Sequence, residues 1–221
     1  MNQDLKKENS AKQAFKLIEP DLQKDTVIGI GNGSTTNFFI EELNRANIHI
    51  KGVVCSSNTS ESLIDNSYDI FSLFLVHSID FYIDGADEYN DRKELIKGGG
   101  GALTREKILA YSSDKFICIV DETKHVDLLG TFPLPIEVIE IARSAISREL
   151  MKMGGKPIFR NGFTTDNGNQ IVDIHNLPIE IPYDLEARIN NIPGVVENGI
   201  FANRKADIII CASDNNIEII Y

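Results

Sequence analysis

Four times along the chain a short apolar run ends abruptly in a polar or glycine-containing loop: VIGIGNGSTT, GVVCSSNTSE, FYIDGADE and KFICIVDETK. The first loop leads into Phe38, Phe39 and Leu43, apolar residues at helical spacing. Strands alternating with helices imply a parallel sheet, and a parallel sheet gathers its polar loops at one C-terminal edge, where open α/β folds bind ligands. No other feature of the sequence restricts the fold as much.

The flanking segments fit around that sheet. Leu5, Ala11, Ala14, Phe15 and Ile18 predict a helix over residues 4–18, with Pro20 as its stop. Beyond Pro133 and Pro135 the texture changes. Residues 139–153 read as a helix, GKPIFRNGFTTDNGNQIVDIHN as a hairpin with Asn167-Gly168 at its turn, residues 185–192 as a short helix and GVVENGIFA as one strand. The apolar run at Ile208 to Ile210 is expected to return to the first sheet. The predicted division is therefore an α/β domain over 1–129 and 207–221, and a smaller α+β domain over 130–206.

A formal net charge of −11 argues against nucleic acid as a partner, because backbone binding needs clustered Lys and Arg. Cys55, Cys118 and Cys211 stand far apart, which suggests neither a disulfide framework nor a thiolate metal site and points to a reducing, cytoplasmic setting. The first ten residues lack the apolar core of a signal peptide, and no run of about 18 apolar residues could span a bilayer. A soluble chain without membrane contact is expected.

Several motifs carry chemistry, and each also has a plain reading. In IKGGGGALTREK the four glycines from 98 to 101 are entropically expensive, and the usual need for them is a ligand close to main-chain N–H groups; a simple turn needs only one or two. GIGNGSTT fails both familiar phosphate-loop patterns, with Ser34 where G-x-G-x-x-G needs its third glycine and no G-K-[ST]. It retains Gly33, Ser34 and Thr35 at a helix N-terminus, able to hold an anion or merely to cap the helix. Asp84, Asp87 and Glu88 in YIDGADEYN read as a solvated Asp-Gly turn, a metal site or acid–base groups near Lys97. Glu106 in the first turn of TREKILAY reads plainly as a surface carboxylate on the helix dipole, and Lys124 as a surface lysine. The histidines are isolated, with no metal-ligand spacing.

Taken in order, GIGNGSTT, CSSNTSES, IDGADE, IKGGGGALTREK, DETKHVDLLGTFPLPIEV, TTDNGNQIVD and IPGVVENGIFANRKAD resemble the type A ribose-5-phosphate isomerase family over nearly the whole chain. The resemblance implies an α/β fold with a Rossmann-like, mostly parallel sheet and a smaller ferredoxin-like α+β domain. It implies interconversion of ribose 5-phosphate and ribulose 5-phosphate without metal or organic cofactor, by a homodimer or a dimer of dimers. By motif, the substrate contacts it implies are Gly33, Ser34, Thr35, Asp84, Gly85, Ala86, Asp87, Lys97, Gly98, Gly99, Gly100 and Lys124, with Glu106 as proton acceptor and Asp84, Asp87 and Lys97 as further catalytic groups. The sequence departs from the family at Asn32, where a threonine is usual, and at Glu61, where a hydroxyl residue is usual. A non-catalytic sugar-phosphate sensor is the main alternative, but the short N-terminal helix leaves no room for a DNA-binding helix-turn-helix. An amino-sugar phosphate isomerase or a CoA-transferase on a similar scaffold is the enzymatic alternative.

Overall fold

The computed structural model describes residues 2–221, which divide into two compact units. The first comprises residues 2–85, 105–124 and 206–221, and the second residues 86–104 and 125–205. The predicted boundary near residue 130 misses that residues 86–104 group with the second unit. The reason is strand pairing: Leu95–Ile96 joins Glu88–Tyr89 on one side and Ile200–Phe201 on the other in a three-stranded sheet.

The first unit is built on a six-stranded sheet. From one edge it runs Gly52–Cys55, Val27–Ile30, Ile79–Asp84, Ser113–Asp121, Ile208–Ala212 and Ile217–Ile220. All pairings are parallel except the last, which closes the edge antiparallel. Buried Ile, Val, Phe and Tyr dominate the strands, as expected for parallel strands covered on both faces. The expected return of Ile208 to Ile210 is present, and the final antiparallel strand was not anticipated. Helix Gln3–Ile18 starts on Asn2, whose side chain accepts the Leu5 N–H at 2.8 Å, and its Phe15 ring meets Phe39 of helix Ser34–Ala46 at 6.3 Å. Val27–Ile30 lies between its successors in sequence, Gly52–Cys55 on one side and Ile79–Asp84 on the other. The loops that leave it and Ile79–Asp84 therefore flank the point where strand order reverses, the usual place for a ligand in this topology.

The second unit contains a four-stranded antiparallel sheet ordered Val195–Asn198, Leu134–Val138, Gln170–His175 and Lys156–Phe159. With helices Arg143–Lys152 and Pro182–Asn190 this is a βαββαβ unit whose strands, counted along the chain, lie in the order 4-1-3-2, a ferredoxin-like arrangement. Ile136, Val138, Ile146, Leu150, Val172, Ile174 and Ile189 form its core. GVVENGIFA is two strands, not one. Val195–Asn198 and Ile200–Phe201 belong to different sheets, and Gly199 sits between them where a Cβ would lie 2.2 Å from the Lys97 carbonyl oxygen. Among the described residues no helix is long and apolar enough to cross a membrane.

Candidate active site

In the first unit the polar groups stand at the C-terminal ends of the parallel strands. Asp84 ends Ile79–Asp84 and is fully buried, far from the solvated turn its Asp-Gly sequence suggested. Its carboxylate accepts the Tyr82 hydroxyl, the Gly85 N–H at 2.7 Å and, more weakly, the Thr36 hydroxyl at 3.4 Å. Because side chains two apart on a strand share a face, Tyr82 lies alongside Asp84. Burial first, then the charges of Asp84 and Glu106, hold the Tyr82 hydroxyl un-ionised well above the usual tyrosine range. That links Tyr82, Asp84 and Glu106 as one buried polar cluster.

Glu106 stands in the first turn of helix Leu103–Tyr111, as the sequence predicts. At 3 % exposure it is not a surface carboxylate. The dipole alone stabilises such a group by under about 1 kcal/mol, small against the several kcal/mol that desolvating a carboxylate costs. Its burial therefore points to a task beyond helix stability.

The loop after Val27–Ile30 is shaped by the serine segment. The Ser56 N–H donates to the Ile30 carbonyl at 2.9 Å and the Ser60 hydroxyl to the Gly31 carbonyl. Gly31 has no room for a side chain, since a Cβ would fall 1.9 Å from Cγ of Asp84. Gly33, with φ +145°, caps helix Ser34–Ala46, and no side chain caps it. This removes the plain capping role for Ser34 and Thr35, which lie inside the first turn. Lys124 ends a short 3₁₀ turn, Glu122–Lys124, after Ser113–Asp121. Burial would raise the neighbouring Asp121, but hydrogen bonds from Thr123 and Gln3, with the charge of Lys124, outweigh it and leave the carboxyl below the usual range.

The second unit holds the remaining predicted residues. Gly99 N–H donates to Asp87 Oδ2 at 2.8 Å, and Lys97, 3 % exposed, carries its Nζ 5.6 Å from the centre of the Phe201 ring. Gly98 at φ +105° and Gly101 at φ +81° adopt backbone that L-residues rarely enter. A Cβ on them would also meet Leu103 at 2.9 Å and Phe163 at 2.2 Å. The glycine run is thus demanded first by its own fold, rather than only by space for a ligand as the sequence suggested.

Of the acidic trio in YIDGADEYN, Glu88 separates from the others: its buried carboxylate accepts the Gly130 N–H at 2.8 Å and the Phe132 N–H. It pins a loop. Sequence reasoning missed Tyr82, which strand alternation next to Asp84 could have revealed. It also missed Arg160, whose guanidinium donates to the Gly98 and Gly99 carbonyls at 3.3 and 3.1 Å from positions 62 and 61 residues away in sequence; nothing local signals that.

Residues 51–216 match the family described as Ribose 5-phosphate isomerase A (phosphoriboisomerase A). The chain belongs to that family. Solved structures agree. Ribose 5 phosphate isomerase A from Neisseria gonorrhoeae is 47 % identical, with a TM-score of 0.94, over 100 % of this chain and 97 % of that one. A D-ribose-5-phosphate isomerase in complex with phospho-erythronic acid is 41 % identical, with a TM-score of 0.91, over 99 % of each chain. The Methanocaldococcus jannaschii ribose 5-phosphate isomerase A is 38 % identical, with a TM-score of 0.88, over 96 % of each. The chain is accordingly an aldose–ketose isomerase that interconverts ribose 5-phosphate and ribulose 5-phosphate, in the non-oxidative branch of the pentose phosphate pathway.

Proposed function

We propose that the isomerisation runs through an enediolate, with Glu106 as the base that removes the C2 proton of the open-chain aldose and returns it to C1. One carboxylate that serves both carbons suffices, because the two positions are adjacent. Asp84 and Asp87 pass hydroxyl protons and open the sugar ring. Lys97 and the N–H groups of Gly98 and Gly100 stabilise the enediolate oxygen, a charge that exists fully only along the reaction, while the Gly99 N–H holds Asp87 against the substrate. Gly33, Ser34, Thr35 and Lys124, with Gly85 and Ala86, hold the phosphate and the neighbouring hydroxyls. The observation that best supports this assignment is the buried cluster in which Tyr82 donates to Asp84 under the fields of Asp84 and Glu106. Titratable groups held in each other's fields in this way are concentrated at catalytic sites.

The same reading holds that the enzyme needs neither metal nor organic cofactor, works as a homodimer or dimer of dimers in the cytoplasm, and acts on a sugar phosphate without nucleic acid. Exhaustive chelation should leave turnover intact; loss reversed only by a divalent ion would overturn this part. Phospho-erythronic acid, present in one solved relative, carries a planar carboxylate where the enediolate would form. It should bind this chain more tightly than substrate, as transition-state-like ligands do. Competitive inhibition weaker than the Michaelis constant would count against the enediolate.

The test of the residue roles is Lys97→Met. Turnover should fall by about 10²- to 10³-fold, as for loss of one oxyanion donor, with a smaller change in the Michaelis constant. Normal turnover with a raised Michaelis constant would reduce Lys97 to ground-state binding.

A further inference from the structure

We propose that Arg160 is a positioning residue that fixes the peptide planes of the glycine loop, so that the Gly99 N–H holds Asp87 and the Gly100 N–H is turned away from Arg160 before substrate arrives; this rests on the catalytic reading above. Arg160 follows strand Lys156–Phe159, and its own N–H is tied to the Ile171 carbonyl at 2.9 Å. Its Nε donates to Asp173 Oδ2 at 2.8 Å and its Nη2 to Asp173 Oδ1. This two-point grip fixes both the direction and the plane of the guanidinium. The third nitrogen, Nη1, is thereby aimed at the loop, where it donates to the carbonyl oxygens of both Gly98 and Gly99.

Peptide geometry converts that clamp into an orientation of donors. In a trans peptide the C=O and the following N–H point in opposite directions. Holding the Gly98 carbonyl on Nη1 turns the Gly99 N–H away from Arg160, and there it meets Asp87 Oδ2 at 2.8 Å. Holding the Gly99 carbonyl on the same nitrogen turns the Gly100 N–H away as well. One side chain thus contacts two successive planes, the first of which is also held by the Gly101 N–H, donating to the Gly98 carbonyl at 2.9 Å.

The loop needs an external restraint because a run of glycines retains more backbone freedom than any other sequence. Phe163, whose ring centre lies 5.4 Å from the Arg160 guanidinium carbon, adds a second wall against Gly101. A lysine could not substitute, since a single ammonium has no planar fork to grip Asp173 at two points while reaching two carbonyls.

The experiment compares Arg160→Lys with wild type by steady-state kinetics on ribose 5-phosphate and by hydrogen exchange of the loop amides. We expect turnover to fall about tenfold to a hundredfold, the scale of a small misplacement of catalytic groups. The Michaelis constant should move less than about threefold, and exchange at residues 98–101 should rise at least about tenfold. Asp173→Asn, which keeps the arginine but loosens its anchor, should show the same pattern at smaller amplitude and serves if Arg160→Lys does not fold. Arg143→Met is the control. Arg143 stacks on Phe159 at 4.1 Å and donates to Gln170 in the same unit without touching the loop, so its loss should leave turnover within about twofold. Unchanged turnover, a raised Michaelis constant alone, or unaltered loop exchange would each overturn the proposal. If wild-type protein failed to convert ribose 5-phosphate, the catalytic reading would fall, while loop exchange in the two variants would still decide whether Arg160 holds the glycines.

Discussion

Buried carboxylates occur in both units, and Asp84 differs from Glu137 and Glu186 in taking a tyrosine hydroxyl. In the second unit Glu186 accepts the N–H groups of Ala202 and Asn203 and the Asn203 side chain, and Glu137 accepts Thr104, Thr165, Asn167 and Asn169. Their donors come from loops, strand ends and the first turn of helix Leu103–Tyr111, so each carboxylate holds segments of chain together. In the first unit Asp84 accepts a tyrosine hydroxyl, a group that can itself pass a proton, and Glu106 acts on the same hydroxyl through its charge. Burial alone therefore does not mark a catalytic acid; the identity of its partners does. The loop-tying glutamates should report in stability, and the Tyr82-linked pair in turnover.

The largest effect that could break this contrast is expected at Glu106. Glu106→Gln should lower turnover by about 10⁴-fold, the upper range for a general base, while the melting temperature changes little. Comparable loss of folding would move Glu106 into the structural group. Asp84→Asn should cost about a hundredfold in turnover, within the range of acid–base contributions. Retention of wild-type turnover would remove Asp84 from the proton relay.

Glu186→Ala should do the reverse. It leaves the buried Ala202 N–H without its acceptor and frees the exposed Asn203, so stability should fall by about 1 to 3 kcal/mol, seen as a lower denaturant midpoint with an unchanged slope. Turnover measured well below the melting temperature should stay within about twofold. A large drop in turnover at intact stability would erase the distinction between the two kinds of carboxylate.

The smallest effect is alkaline. Tyr82 is held neutral by burial and by Asp84 and Glu106, and burial followed by the charge of Glu61 pushes the Cys55 thiol from 9.0 up to about 12. Both folded values are raised, so their contribution to stability is complete below the unfolded pKa values and is lost as pH rises through the folded ones. Stability should decline from about pH 9 upward, first through Cys55 and from about pH 10 through Tyr82. Tyr82→Phe should flatten the second part of that decline, and an identical profile in the variant would show that Tyr82 does not titrate on unfolding.

Much of this was legible in the sequence because the signals were local. The strand–loop alternation gave the parallel sheet, and TREKILAY put Glu106 in a first helical turn. What was hidden depended on distance along the chain. A first-turn glutamate looks the same whether buried or exposed, so the cost of burying Glu106 became visible only in three dimensions. Residues 86–104 read as part of the α/β unit because they follow its strand directly, yet they pair with Ile200–Phe201, about a hundred residues later. The glycine run was recognisable as a loop that must not carry side chains. That Leu103 and Phe163 occupy the space, and that Arg160 holds the carbonyls, follows from contacts no local pattern encodes.

The central claim is that Glu106 moves the carbon-bound proton. Incubating the Glu106→Gln variant with ribose 5-phosphate in deuterium oxide, and following the C1 and C2 hydrogens by NMR, tests it directly. Solvent exchange at these carbons, present in wild type, should disappear from the variant while phospho-erythronic acid still binds with near-wild-type affinity. Exchange at the wild-type rate in Glu106→Gln would remove Glu106 from that role and pass the proton shuttle to Asp84 or Asp87.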